Sequence, residues 1–448
     1  MSRQLFGTDG IRGAAGEFLT AELALALARA AVRLSPQPRP KVLIVRDTRE
    51  SGEMLEAALA AGITAAGGDA YLAGVLPTPA APLLLRQRGF HLAAVISASH
   101  NPYADNGIKL FGPDGFKLDD ATELAIESAM LAHAPAGARR PATIGRIHRL
   151  HTPLEDYLGE LAARFGGLDL AGRRILLDCA NGATHAAAPM FFRGLGAQVT
   201  VLADQPDGTN INAECGSTHL EPLVAAMRQG AHDVGFAFDG DGDRVLAVDA
   251  DGTVVDGDEL IALAALHLRD RGELGGGVAV TVMTNYGFHT AMAGAGIEVA
   301  TTAVGDRYVL DELRQRGWRL GGEQSGHIID LAAGPSGDGI VSALLTLEAL
   351  AGGDLRERHA MAKLPQKLVN IRAGDRSHLQ AALGAAPVSA AIDAADASLS
   401  GRGRVLVRAS GTEPLVRVMV EAPTVQETDA LCASLARVVE DELARQGG

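Results

Sequence analysis

Residues 92–102 read Leu92-Ala93-Ala94-Val95-Ile96-Ser97-Ala98-Ser99-His100-Asn101-Pro102. A short apolar run of strand type ends in a serine beside a histidine, with an Asn-Pro turn behind them. Upstream, Lys41 to Val45 and Asp69 to Leu72 are runs of the same kind, and alanine-rich helical stretches separate them. That alternation predicts a sheet covered by helices. In such sheets the binding loops lie beyond the carboxyl ends of the strands, which is where Ser99 falls. Asp47-Thr48-Arg49-Glu50-Ser51-Gly52 leads from the 41–45 run into the next helix.

The style repeats downstream. From near His151 come strands Arg174 to Asp178, Gln198 to Leu202 and Asp233 to Phe238, the last delivering Asp239-Gly240-Asp241-Gly242-Asp243-Arg244. From near Ala250 come strands Val278 to Thr281 and Glu298 to Thr301, then Gly322-Glu323-Gln324-Ser325-Gly326-His327. After about Pro365 the pattern changes to strand Lys367 to Arg372, a helical stretch, paired strands Arg404 to Ala409 and Leu415 to Glu421, and a closing helix with Thr424-Val425-Gln426-Glu427 as its capping box. The expected fold class is therefore α/β. Three units of one βα style, at 1–150, 151–249 and 250–364, precede a unit of different pattern at 365–448.

Composition restricts what such a chain does. Its 448 residues are 47% hydrophobic and 21% charged, suited to a globular protein of several domains. A formal charge of -14 opposes binding to nucleic acid or an anionic membrane, so a phosphate ligand needs a local basic cluster. The first residues lack a signal-peptide core and no run approaches the roughly 18 apolar residues of a span, so a cytoplasmic protein is expected. Cys179, Cys215 and Cys432 lack metal-ligand spacing and read as reduced thiols.

Asp239, Asp241 and Asp243 are the strongest local signal. Alternate side chains of an extended segment share a face, and the glycines let the backbone curl so that three carboxylates converge on one hard cation, magnesium or calcium. An EF-hand would need glycine and glutamate where Arg244 and Ala250 stand. Glu323 and Ser325 present a carboxylate and a hydroxyl suited to sugar hydroxyls, with His327 as a further polar group. Arg408, Ser410, Gly411, Thr412 and Arg417 form a phosphate cradle of hydroxyls, backbone N–H groups and guanidiniums. Near the N-terminus, Arg12 lies in the glycine-rich stretch Gly7-Thr8-Asp9-Gly10-Ile11-Arg12-Gly13. A serine before Asn-Pro is ordinarily a turn residue, and it is this company that gives Ser99 a chemical role.

Taken in order, these segments resemble the α-D-phosphohexomutase superfamily over essentially the whole chain. Further stretches carry the likeness: Gly74-Val75-Leu76-Pro77-Thr78-Pro79-Ala80, Asp178 to Thr184, and Cys215-Gly216-Ser217-Thr218-His219. The resemblance implies four domains around a central cleft, the first three similar α/β domains with mixed sheets covered by helices and the fourth a smaller α+β domain, with Ser99 phosphorylated in the active form. It also implies one Mg2+ held by Asp239, Asp241, Asp243 and an oxygen of the phosphoserine. The implied reaction converts glucosamine 6-phosphate to glucosamine 1-phosphate through glucosamine 1,6-bisphosphate, feeding UDP-N-acetylglucosamine and cell-wall precursor synthesis. Arg12, Arg244 and Lys109 would balance charge, and His100 would support the phosphoserine. Lys109 is the expected proton carrier, its pKa lowered by neighbouring cations. The Ser410 to Thr412 loop would hold the phosphate that does not react. A homodimer is a family expectation. Ala409, His185 and Tyr286 depart from the usual pattern, and none of them removes a chemical group.

Three alternatives share much of this machinery. A mutase for glucose or mannose phosphates differs in how the C2 substituent is read, a metal-dependent phosphatase would release the phosphoryl group to water, and a sugar-phosphate sensor would only bind.

Overall fold

A computed structural model describes residues 5–7, 9–131, 143–373, 377–410 and 414–447. The chain divides into two compact units, Met1–Val282 with Ala300–Arg358, and Met283–Val299 with His359–Gly448. Strands are numbered in chain order. The first sheet comprises β1 (Ile11–Ala14), β2 (Lys41–Arg46), β3 (Asp69–Val75), β4 (Leu92–Ile96), β5 (Asp105–Phe111) and β6 (Ile147–Arg149), in the order β1-β5-β4-β2-β3-β6. Its centre is parallel, but β5 runs antiparallel to both β4 and β1. The chain therefore doubles back immediately after Ser99. The segment 105–111, not recognised as a strand from sequence, is nearly all buried, and its Lys109 and Asn106 hide the apolar pattern.

β7 (Arg174–Asp178), β8 (Gln198–Leu202), β9 (Val234–Phe238), β10 (Val245–Asp249) and β11 (Val254–Val255) form the second sheet, ordered β11-β10-β9-β7-β8. β9 and β10 are an antiparallel pair with Phe238 opposite Val245, so the aspartates occupy the tip of a hairpin. The third sheet is β13-β12-β14-β15, from β12 (Gly277–Thr281), β13 (Glu298–Thr302), β14 (Leu320–Gly322) and β15 (Ile328–Asp330). Here too the Glu323 to His327 loop joins antiparallel neighbours.

Helices cover these sheets as the alternation predicts. Ala21–Leu34 starts at Thr20, whose hydroxyl accepts from the Leu23 N–H at 3.2 Å, and it buries Leu27, Ala28 and Ala31 in one core with Ile44, Leu59 and Ile96. Each such large aliphatic side chain contributes about 1.5–3 kcal/mol when fully buried.

The smaller unit has its own antiparallel sheet, β16-β18-β17, from β16 (Gln366–Arg372), β17 (Arg404–Ala409) and β18 (Leu415–Glu421). The helix Val425–Gly447 packs Cys432, Leu435 and Val439 into a core with Val416, Val418 and Val420. Thr424 accepts from the Glu427 N–H at 3.2 Å as the capping motif predicts, while the Glu427 carboxylate pairs with Arg402. All three cysteines are free and buried.

Candidate active site

Ser99 sits at the mouth of β4, 1% exposed, with φ at 53°. That left-handed backbone is uncommon for a residue with a side chain and has to be held by its surroundings. The hydroxyl donates to Asp239 Oδ2 at 2.5 Å, and His100 Nδ1 lies 3.3 Å away. Burial, with Arg244 and Arg12 nearby, lowers the His100 pKa to about 4, so the ring beside Ser99 is neutral at pH 7.

The three carboxylates converge. Asp239, Asp241 and Asp243 are all buried, and one oxygen of each lies within 4.8 Å of the other two. The hairpin tip permits this because Gly242 has φ at 73°, and because a side chain on Gly240 would come within 2.6 Å of the Ser99 carbonyl. Oδ1 of Asp241 and Oδ1 of Asp243 are buried without a hydrogen-bond partner among the described residues. Unsatisfied carboxylate oxygens on convergent hard ligands fit a divalent cation.

Charge is unevenly shared there. Burial and the neighbouring Asp243 and Asp241 raise Asp239 well above the ordinary carboxyl range. Burial also acts against charge on Asp243, but His327, Lys109 and Arg244 outweigh it and hold that carboxyl low. Lys109, on β5, reaches Asp241 at 3.1 Å, Asp9 at 3.2 Å and Asp243 at 3.6 Å. Burial alone would lower its pKa, yet Asp241, Asp9 and Asp243 carry it above the ordinary lysine range. The expectation of a lowered value counted a bound metal ion and the arginines; the direction found here is that of the carboxylates without an ion, Asp9 among them.

A cavity of about 320 Å³ opens over this centre, lined by Ser99, Asp243, Arg12, Arg244, Asp9 and Gly10 on one side and by Val304, Gly305, Asp306, Glu323 and His327 on the other. Glu323 accepts from the Gly305 N–H at 3.0 Å. The His327 ring lies 3.6 Å from Asp243 and 3.7 Å from Asp306. Burial opposes its protonation, but Asp243 and Asp306 raise its pKa nonetheless. Lys117 ties the two walls together, paired with Asp9 and, at 2.5 Å, with Asp306. Permanent cations, carboxylates and a serine around one polar cavity can neutralise and align a phosphoryl group beside a sugar.

Four models of the phosphoglucomutase/phosphomannomutase family match in succession: α/β/α domain I at residues 3–136, II at 155–252, III at 256–370, and the C-terminal domain at 368–438. A phosphoglucosamine mutase of Moorella thermoacetica is 49% identical over 97% of this chain and 99% of its own length. One from Rhodococcus erythropolis is 48% identical with the same coverage. The chain belongs to the phosphohexomutase superfamily, among the phosphoglucosamine mutases. With the superfamily comes the reaction class, isomerisation by phosphoryl transfer. The crystal structure of a phosphoglucomutase/phosphomannomutase family protein from Burkholderia thailandensis has the same fold, with a TM-score of 0.81 at 23% identity, covering 98% of this chain and 97% of that one.

Within this phosphohexomutase the larger unit gathers Ser99, His100, Lys109, Arg12, Arg244, the three aspartates, Glu323 and His327. Ser325 does not border the cavity; its hydroxyl is buried and unpartnered among the described residues, and the adjacent Gln324 is fastened to Asp256 at 3.1 Å. Arg408, Ser410 and Arg417 belong to the smaller unit, and Gly411 and Thr412 lie outside the described residues. Tyr286 is anchored within the smaller unit, its N–H to Glu421 and its hydroxyl to the Gly401 carbonyl.

Sequence reasoning missed Asp9, Lys117 and Asp306, whose pairing is a product of chain folding. It also passed over Thr78, which donates to Asp241 Oδ2 at 2.7 Å although it stands in a quoted motif. Arg49 was read only as part of a loop, yet it is fully buried and paired with Asp47 at 2.9 Å.

Proposed function

We propose that this phosphohexomutase interconverts glucosamine 6-phosphate and glucosamine 1-phosphate, with Ser99 as the phosphoryl carrier. The observation that carries the reading is the Ser99 hydroxyl at 2.5 Å from Asp239, inside a buried three-aspartate cluster at a cavity edged by Arg12 and Arg244. Near 48% identity to phosphoglucosamine mutases supports the choice of hexosamine.

In the first half-reaction the P–O bond to Ser99 breaks as a bond forms from that phosphorus to a sugar hydroxyl. The hydroxyl loses its proton, and the serine oxygen regains one. The resulting 1,6-bisphosphate then presents its other phosphate, and the reverse transfer regenerates phosphoserine. Asp239, Asp241 and Asp243 would hold magnesium. When bound, the ion would supply positive charge to the transferring phosphoryl group and weaken the field that keeps the Lys109 proton in place. Arg12 and Arg244 provide charge at the cavity wall, and Glu323 grips ring hydroxyls. His327, between Asp243 and Asp306, can hold a proton there, and the neutral His100 supports the Ser99 side chain. Ser325 is a ring contact only if its loop turns toward the cavity. Arg408, Arg417 and the Ser410 to Thr412 loop supply the second phosphate site.

Intact-mass measurement before and after phosphatase treatment, with the phosphoryl group mapped by peptide, tests the carrier. The expected result is one phosphoryl group on Ser99. Turnover of glucosamine, glucose and mannose 6-phosphates is then compared on the purified protein, and equal or better use of glucose would move the assignment to a hexose enzyme. Steady release of inorganic phosphate would point to a phosphatase.

A further inference from the structure

The Ser99 carbonyl meets two NH2 groups from distant parts of the chain, one of a guanidinium and one of a carboxamide. Arg49 Nη2 lies 2.9 Å from the Ser99 carbonyl and 2.8 Å from the Asn101 carbonyl. Asn212 Nδ2 lies 2.9 Å from the first and 3.1 Å from the second. Each NH2 group has two hydrogens and each carbonyl two lone pairs, so four hydrogen bonds close a complete set. Asn212 stands on the segment between β8 and β9, and its own φ is 57°, a left-handed conformation that asparagine tolerates well. It is 7% exposed, and its Oδ1 has no partner among the described residues, so the amide is oriented by what it donates.

We infer that Asn212, with Arg49, is a positioning residue that holds Ser99 in its left-handed conformation and thereby aims the hydroxyl at Asp239. The assignment rests on the phosphoserine reading for its catalytic consequence, although the clamp itself is geometric. Without it, Ser99 would relax toward the right-handed or extended backbone that a serine prefers, and the hydroxyl would leave the aspartate cluster. Gly240 packs its backbone on the same carbonyl, so the serine and aspartate loops share one support.

Two variants separate the donor from the backbone. Asn212→Asp keeps the size and left-handed tolerance but turns the donor into an acceptor; Asn212→Gly keeps the backbone and deletes the side chain. Both are expected to lower kcat by about tenfold to a hundredfold with KM for the sugar phosphate within about twofold, as misalignment at the reacting atom does. Hydrogen–deuterium exchange over 97–105 should quicken in both at matched thermal stability. Variants that match wild type in kcat and in exchange would overturn the clamp, as would a loss of kcat that follows melting temperature alone. If wild type proves to have no mutase turnover while the variants still loosen 97–105, the functional reading falls and the clamp stands.

Discussion

The aspartate hairpin tip in the larger unit and the β17–β18 hairpin in the smaller one each crowd like charges. In the first, three buried carboxylates lie together and Asp239 is driven toward its neutral form. In the second, Arg408 and Arg417 are direct partners across antiparallel strands and so share one face; burial, with the Arg417 charge, lowers Arg408 below the usual arginine value. The difference lies in compensation. The aspartates have Lys109 and Arg244 beside them, and two of their oxygens lack a hydrogen-bond partner among the described residues, an arrangement that fits a compact dication. Two planar guanidiniums on one face match the geometry of phosphate oxygens.

Ser99→Ala gives the largest expected effect on the first region, a fall in turnover of at least about a thousandfold in a coupled assay. Retained activity would break the assignment of that loop to the chemistry. Asp239→Asn should lower turnover by about a hundredfold or more, yet raise the melting temperature in EDTA by roughly 2–4 °C, since without a cation burial and two carboxylates disfavour an ionisable group there. A fall in both would show that the cluster is not repulsive without a cation. Arg417→Ala and Arg408→Ala should act differently, raising KM for the sugar phosphate about tenfold while kcat changes less. Equal loss in kcat would place the arginines with the reacting phosphoryl group and erase the contrast.

The smallest effect concerns a buried carboxyl close to the first region. Asp338 caps the helix Gly339–Leu350, accepts from the Tyr157 hydroxyl at 2.8 Å, and has its pKa raised by burial to about 6. The unfolded chain releases this proton near pH 4 and the folded protein near pH 6, so between them the folded state binds more protons. Stability contributed by this group is present at low pH and lost as pH rises through about 6, by up to about 3 kcal/mol. Denaturant titrations from pH 4.5 to 7.5 should show the decline, and Asp338→Asn should flatten it.

Much of this was legible in advance. Strands 92–96, 174–178, 198–202, 404–409 and 415–421 have the boundaries their β-branched and apolar runs predict, because such runs suit a strand whether continuous or alternating, and turn residues end them. The three aspartates were legible because alternate spacing with glycine is a local pattern. β5 was not, since Lys109 and Asn106 are buried by partners far along the chain. Nor was the bond from Thr78 to Asp241, or the meeting of Lys117 with both Asp9 and Asp306.

By itself, then, the sequence determined the α/β alternation, the distinct C-terminal module and the local Ser-His and alternating aspartate–glycine patterns, which follow from periodicity and residue type over short stretches. Tertiary structure alone decided which carboxylates surround Lys109, the left-handed pose of Ser99 and the supports behind it. Those depend on burial and on electrostatic fields summed over residues that chain order keeps apart.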